Sequence, residues 1–345
     1  MTAPSQHVFL ASCRREPVDH TPVWFMRQAG RALPEYRRLR GEEGLLDSLR
    51  NPDLAVEVTL QPVRRYGVDA AIVFSDIVVP AAATGFGVDI KPGVGPVVER
   101  PFRSAADLDR VRPFHVDQDA PWLIETVSIL ASELSVPLIG FAGAPFTVAS
   151  YLIEGRTSRD YIRTKSLMAT DTTTWVALLD RLGDQAIASA EAQVRAGAQA
   201  IQLFDSWAGA LDPDSYRQHV LPATRRVLQA LSGLAVPLIY FGVGTGELLG
   251  MLPEAGVDVV GVDWRVPLAA ARERTEGKVA LQGNLDPALC AAGWEAAKPA
   301  ALRILREARD AGIEGHVFNL GHGVLPDTDP DVLARLVDLV HEFGR

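Results

Sequence analysis

The chain has 345 residues, with 34 Lys and Arg against 43 Asp and Glu and a formal net charge of −9, an acidic balance that argues against a dedicated nucleic-acid binder. At 48% hydrophobic and 22% charged it can build a large core, which excludes disorder and collagen-like repeats. No apolar run approaches the ~20 residues that span a bilayer, and the opening MTAPSQHVFLASCRREP has no basic start or signal-type apolar stretch, so no membrane partner and a cytoplasmic location are expected.

The first apolar run, 23–26 (VWFM), reads as a buried strand and leads into 27–40 (RQAGRALPEYRRLR), which holds five arginines. Arg27 and Arg31 are four apart, so a helical turn would place both guanidinium groups on one side, where two forks suit carboxylate or phosphate groups. A solvated surface helix is the competing reading, and Arg37 and Arg38 are expected to stay on the surface. Helical spacing follows at 54–66, with Pro62 expected to bend or restart the helix. The run 70–74 (AAIVF) is a second strand that delivers Ser75 and Asp76. A carboxylate there must be paired or must await a ligand, because a bare buried charge is costly. The segment 84–102 lacks a helical period and reads as an inserted hairpin.

Further strands are expected at 136–142, 199–205, 236–242, 258–264, 279–283 and 316–320, with helices at 172–196 and 329–343 among those between them. A pattern of glycine, apolar strand and aspartate recurs from Gly67 to Asp76, Gly197 to Asp205 and Gly256 to Asp263, the mark of a repeating αβ joint. About eight strands alternating with helices, and no low-complexity linker, predict an α/β fold over 1–345: a single-domain (β/α)8 TIM barrel, with an open doubly wound sheet as the alternative. Barrel chemistry sits where strands end, and the residues after these strands are rich in arginine, single carboxylates and glycine, with no metal-ligand cluster. His322, flanked by glycines in NLGHGVLP, could meet a ligand closely. Three motifs are weak: GVGTG at 242–246 fits no phosphate-loop pattern, Cys290 lacks zinc spacing, and Ser206 has no nucleophile elbow.

PVWFMRQAGRALPEYR at 22–37 and GFAGAPFTVASYLIEG at 140–155 resemble the two signature segments of the uroporphyrinogen decarboxylase family. IVFSDIVVPAAATGFGV, QLFDSWAG and FNLGHGVLPDTDP agree in the same order, so the resemblance covers nearly the whole chain. It implies a distorted (β/α)8 barrel, a homodimer, and removal of CO2 from the four acetate side chains of uroporphyrinogen III, giving coproporphyrinogen III in haem biosynthesis without metal or organic cofactor. By the same resemblance Arg27 and Arg31 bind substrate carboxylates, the backbone amides of Gln28, Ala29 and Gly30 add donors, and Arg40 is a further match. Asp76 takes the inward pyrrole N–H groups, Tyr151, Ser206 and His322 supply polar contacts, and Phe204 forms an apolar wall. Asp76 and Arg27 are the implied catalytic pair, although a guanidinium is a poor acid and Arg27 could instead hold the leaving carboxylate or relay a proton through water. Ala32 departs from the family's usual aromatic residue, a packing variation. A zinc-dependent corrinoid methyltransferase of the same fold group and a non-catalytic tetrapyrrole-binding protein are the alternatives.

Overall fold

The computed structural model describes residues 7–41, 44–91 and 94–343, so the first six residues and positions 92–93 of the hairpin lie outside the described residues. Seven strands form one parallel sheet in chain order: β1 (Ala71–Ile72), β4 (Leu138–Gly143), β5 (Ala200–Phe204), β6 (Leu238–Phe241), β7 (Val259–Gly261), β8 (Ala280–Gln282) and β9 (His316–Val317). Between the first two of these strands, β2 (Val88–Lys91) and β3 (Gly95–Val98) pair as an antiparallel hairpin inside the expected 84–102 insertion. Parallel neighbours need crossovers, and helices supply them on the outer face. The strand residues are buried because the sheet is covered on both sides, as their uninterrupted apolar runs require.

The expected strand at 23–26 is reduced to one parallel bridge, Val23 to Phe318. The N–H of Phe318 donates to the Pro22 carbonyl (2.8 Å), Trp24 N–H donates to the Phe318 carbonyl (3.3 Å), and Asp69 N–H donates to the Val23 carbonyl (2.9 Å). Further along, side chains replace the ladder: Phe25 N–H donates to Gln28 Oε1 (2.9 Å) and Met26 N–H to Asn319 Oδ1 (3.0 Å). The backbone is satisfied without a neighbouring strand, which is why an apolar run strong enough to read as β does not register as one. A polar line crosses the interior beside it, from Trp24 Nε1 to Gln282 Oε1 (3.0 Å) and from Gln282 Nε2 to Gln202 Oε1 (3.0 Å).

The helix Pro52–Tyr66 runs through Pro62 without restarting. Pro62 is buried, and the helix is secured at both ends, by Asn51 accepting from Leu54 N–H and by left-handed Gly67. The helices at Thr172–Arg195 and Pro330–Phe343 match expectation, the first capped by Asp171. One hydrophobic cluster extends from Phe9 to Val340 through the sheet and its helices.

Candidate active site

Because the strands are parallel, their C-terminal ends share one face, and there a cavity of about 1260 Å³ opens. Arg27, Ala29, Arg31, Arg40, Asp76, Tyr151, Phe204, Ser206 and His322 all line it; Gln28 and Gly30 do not.

Arg27 and Arg31 reach the cavity by a route other than the expected helix. The segment is a turn in which Arg27 (φ 61°), Gly30 (φ 89°) and Arg31 (φ 43°) all adopt positive φ. Pro34 is the cause at the far end: the residue before a proline avoids helical geometry, Leu33 is extended, and the helix starts at Pro34 and ends at Arg40. Positive φ in two arginines is strained backbone of the kind that gathers at binding sites. Gln28 braces it from below. Buried, it bridges Phe25 N–H and the Ala70 carbonyl (3.0 Å) with its amide, while its own N–H donates to the Phe25 carbonyl. Its backbone N–H is therefore already engaged within the turn, and a role as substrate donor would share it with the Phe25 carbonyl. Gly323 shapes the same corner, since a Cβ on it would overlap the stem of Arg27.

Arg37 is exposed, as expected, and stands at the cavity rim, where its Nε donates to the Arg31 carbonyl (3.3 Å), tying helix to turn. With Arg40, Lys91, Arg159 and Arg265 in the lining, cations dominate, and Asp76 is the single carboxylate among the described lining residues. Burial and the neighbouring Arg27 pull the Arg31 guanidinium down to about 10, still a cation at neutral pH.

Asp76 follows β1 in a half-buried position, its Oδ1 accepting from Val78 N–H (3.0 Å). Burial pushes its carboxyl above the ordinary range, while that N–H and the charges of Arg27 and Arg31 pull the other way. His322 is pushed down to about 4 by burial and by Arg27 and Arg31, so it is neutral at pH 7. Its Nδ1 accepts from Gly323 N–H (2.7 Å), which leaves the proton on Nε2 as a donor. Tyr151 is held protonated, its pKa raised by burial and then by Asp76.

Aromatic rings make the walls: Tyr151 lies on Trp207 (3.8 Å between centroids), Tyr161 joins them (5.0 Å), and Phe204 meets Phe141 edge-on (5.4 Å). Trp207 and Tyr161 were missing from the expected set, as was Asp205, which lies fully buried just after Phe204. The recurring glycine–strand–aspartate pattern had marked Asp205, and the aromatic pair had no sequence signal beyond residue type. The two cysteines are buried outside the lining, with the Cys290 thiol pushed up to about 12.

The profile of the uroporphyrinogen decarboxylase family matches residues 4–343. A uroporphyrinogen decarboxylase of Streptomyces coelicolor is 59% identical over 341 residues, covering 99% of this chain and 95% of its own. One from Thermobifida fusca is 57% identical, covering 96% and 92%. Among solved structures, a methyltransferase from Methanosarcina mazei superposes with a TM-score of 0.77 at 21% identity over 97% of this chain and 98% of its own, a likeness of fold.

Proposed function

The chain belongs to the uroporphyrinogen decarboxylase family and is a carboxy-lyase of porphyrin biosynthesis, and from that premise we propose that its cavity takes uroporphyrinogen III and converts the four acetate side chains to methyl groups, releasing coproporphyrinogen III. The charge of the cavity carries this reading. A protein of net charge −9 repels an anionic substrate globally, yet among the described residues this pocket is lined by arginines and Lys91 around a single carboxylate. A macrocycle with anionic arms and inward N–H groups is complementary to that arrangement.

Each round exchanges an acetate and one proton for a methyl group and CO2. A ring carbon is protonated, the C–CO2 bond breaks and its electron pair neutralises the cationic ring, leaving an exocyclic methylene. That carbon then takes a proton and the ring carbon releases its own, so that one proton is consumed overall and a methyl group remains. Arg27 and Arg31 hold carboxylates at the rim through charge-assisted bonds. Asp76 accepts the pyrrole N–H groups and stabilises the ring while it is cationic, a contribution often worth several kcal/mol in a dry site. His322 donates from Nε2, Tyr151 and Ser206 offer hydroxyls, and Phe204 packs on the macrocycle. Arg27, a permanent cation, serves the departing carboxylate rather than donating a proton.

The seven strands, with 22–24 held between Phe318 and Asp69, act as a distorted (β/α)8 barrel, and the enzyme works as a cytoplasmic homodimer. No helix among the described residues is long and apolar enough to cross a membrane. A corrinoid methyltransferase would need a thiol-activating metal cluster in the cavity, whereas among the described residues the lining holds no cysteine. Anaerobic incubation with uroporphyrinogen, resolving products by carboxylate number, tests the reading. Successive loss of four carboxylates supports it; an unchanged eight-carboxylate substrate overturns it.

A further inference from the structure

At the opposite ends of the strands, away from the cavity, three side chains distant in sequence converge. Asp69 precedes β1, His20 precedes the 22–24 segment, and His341 belongs to the last helix. The N–H of Val23 fixes the Asp69 carboxylate through Oδ2 (2.7 Å). His341 Nε2 lies 2.8 Å from Oδ2 and His20 Nε2 lies 3.4 Å from Oδ1. One ligand atom from each residue falls within 4.8 Å of the other two, and the three are half-buried. Behind His20, its Nδ1 is 2.8 Å from Asp19 Oδ1.

His20 therefore has a carboxylate oxygen at each ring nitrogen. A neutral imidazole carries one N–H, and if Asp19 takes it, the Nε2 lone pair faces the Asp69 oxygen. Two electron pairs in that position repel, and either a second proton on the ring or a metal ion between them relieves the repulsion. The 3.4 Å gap at His20 is long for an N–H···O bond and is about the separation of two ligand atoms on a tetrahedral ion with bonds of ~2.0–2.1 Å. The 2.8 Å between His341 Nε2 and Oδ2 is instead a hydrogen-bond length, so metal binding replaces that bond and draws the two atoms apart. A carboxylate on the far nitrogen of a ligating histidine is also the usual outer partner, fixing the tautomer and raising ligand basicity.

We propose that His20, Asp69 and His341 form a site for a divalent transition-metal ion of the zinc class, with Asp19 orienting His20 and the fourth position left to water. Two imidazoles and a carboxylate suit that class over magnesium or calcium, which prefer all-oxygen shells. The ion fastens the last helix to the first strand segment and to the approach of β1. It is structural, since Val23, at the site, and Arg27, in the cavity, lie at opposite ends of one extended segment.

The test uses the full chain, stripped with a chelator and titrated with Zn²⁺ against a chromophoric competitor. Wild type should take up one equivalent. Asp19→Ala should bind at least ~10-fold more weakly, and the double variant His20→Gln, His341→Gln should lose the site. Zinc should raise the wild-type Tm by a few degrees and leave that of the double variant unchanged. Cobalt loading gives a second readout that needs no variant: visible d–d bands of a low-coordinate nitrogen–oxygen site should appear in wild type. Decarboxylation measured well below Tm should be equal for stripped and loaded protein. Zinc uptake by wild type no greater than by the double variant, or absent cobalt bands, would overturn the proposal and leave an ordinary imidazole–carboxylate cluster.

Discussion

The ends of β1 and β5 carry the same sequence signature and opposite chemistry. Each strand follows a glycine joint and delivers an aspartate, Asp76 in one case and Asp205 in the other. Asp205 is enclosed: Thr147 Oγ1 donates to one oxygen (2.7 Å) and Tyr240 to the other (2.8 Å), with Tyr216 behind Tyr240 (3.1 Å). Thr147 in turn accepts from Trp207 N–H (3.1 Å), so the network sets the loop that carries Ser206. Asp76 opens on the cavity, where the backbone N–H groups of Ile77 and Val78 donate to it and Arg27 and Arg31 are near enough to act on it through charge. Hydroxyls from neighbouring elements make one carboxylate architecture, and their absence leaves the other available to a substrate.

Removing the charge of Asp76 should break the comparison most severely. Asp76→Asn keeps the size but turns N–H donors toward the pyrrole N–H groups, and turnover should fall ~10²-fold or more while the arginines retain part of the binding. Single-turnover decarboxylation beside direct binding separates the two, and an Asn variant near the wild-type rate at saturation would reduce Asp76 to architecture. The complementary change, Asp205→Ala, strands the hydroxyls of Thr147 and Tyr240 in the interior and should cost roughly 2–4 kcal/mol in denaturant unfolding. A loss below about 0.5 kcal/mol would mean the network is dispensable. Arg31→Lys retains charge but not the fork, so kcat/KM should drop several-fold with Tm unchanged; a change within about twofold would remove it from carboxylate binding.

The smallest effect is in pH. Burial pushes His316 and His322 from 6.5 down to about 4, so unfolding takes up protons between those values and stability falls as pH drops through that window. Asp205 opposes them: burial raises its pKa from 3.8 to about 6, so its contribution is full below the lower value and is lost as pH rises through the upper. Asp76, also raised by burial, acts in the same sense as Asp205. Removing Asp205 therefore tips the balance toward the histidines, and Tm should climb more steeply from pH 4 to 6.5 in Asp205→Asn than in wild type. A flat profile in both proteins would show that these groups do not titrate as their burial implies.

Much of this molecule could be read from local pattern. The alternation of short apolar runs with helical segments gave the parallel α/β order, and 84–102 contained the hairpin. What escaped depends on partners distant in the chain. The 23–26 run loses its ladder to Gln28 and Asn319, and Arg27 and Arg31 converge through a left-handed turn that their four-residue spacing could not reveal. Asp205 looks like Asp76 until Thr147 and Tyr240 are placed beside it. His20 and His341 meet only once the two ends of the chain have folded together.

The small residue at 323 has a genetic consequence. Any missense change at that codon, whatever amino acid it encodes, installs a Cβ where the stem of Arg27 now lies. Even Gly323→Ala, which alters no charge and no polar group, should displace the guanidinium and lower kcat/KM while sparing the sheet. Unaltered steady-state kinetics in that variant would show that Arg27 has another path to its place. A classification of alleles by polarity would score such a change as benign, yet its phenotype would be that of a mutation at an arginine on the far side of all seven parallel strands in the sequence.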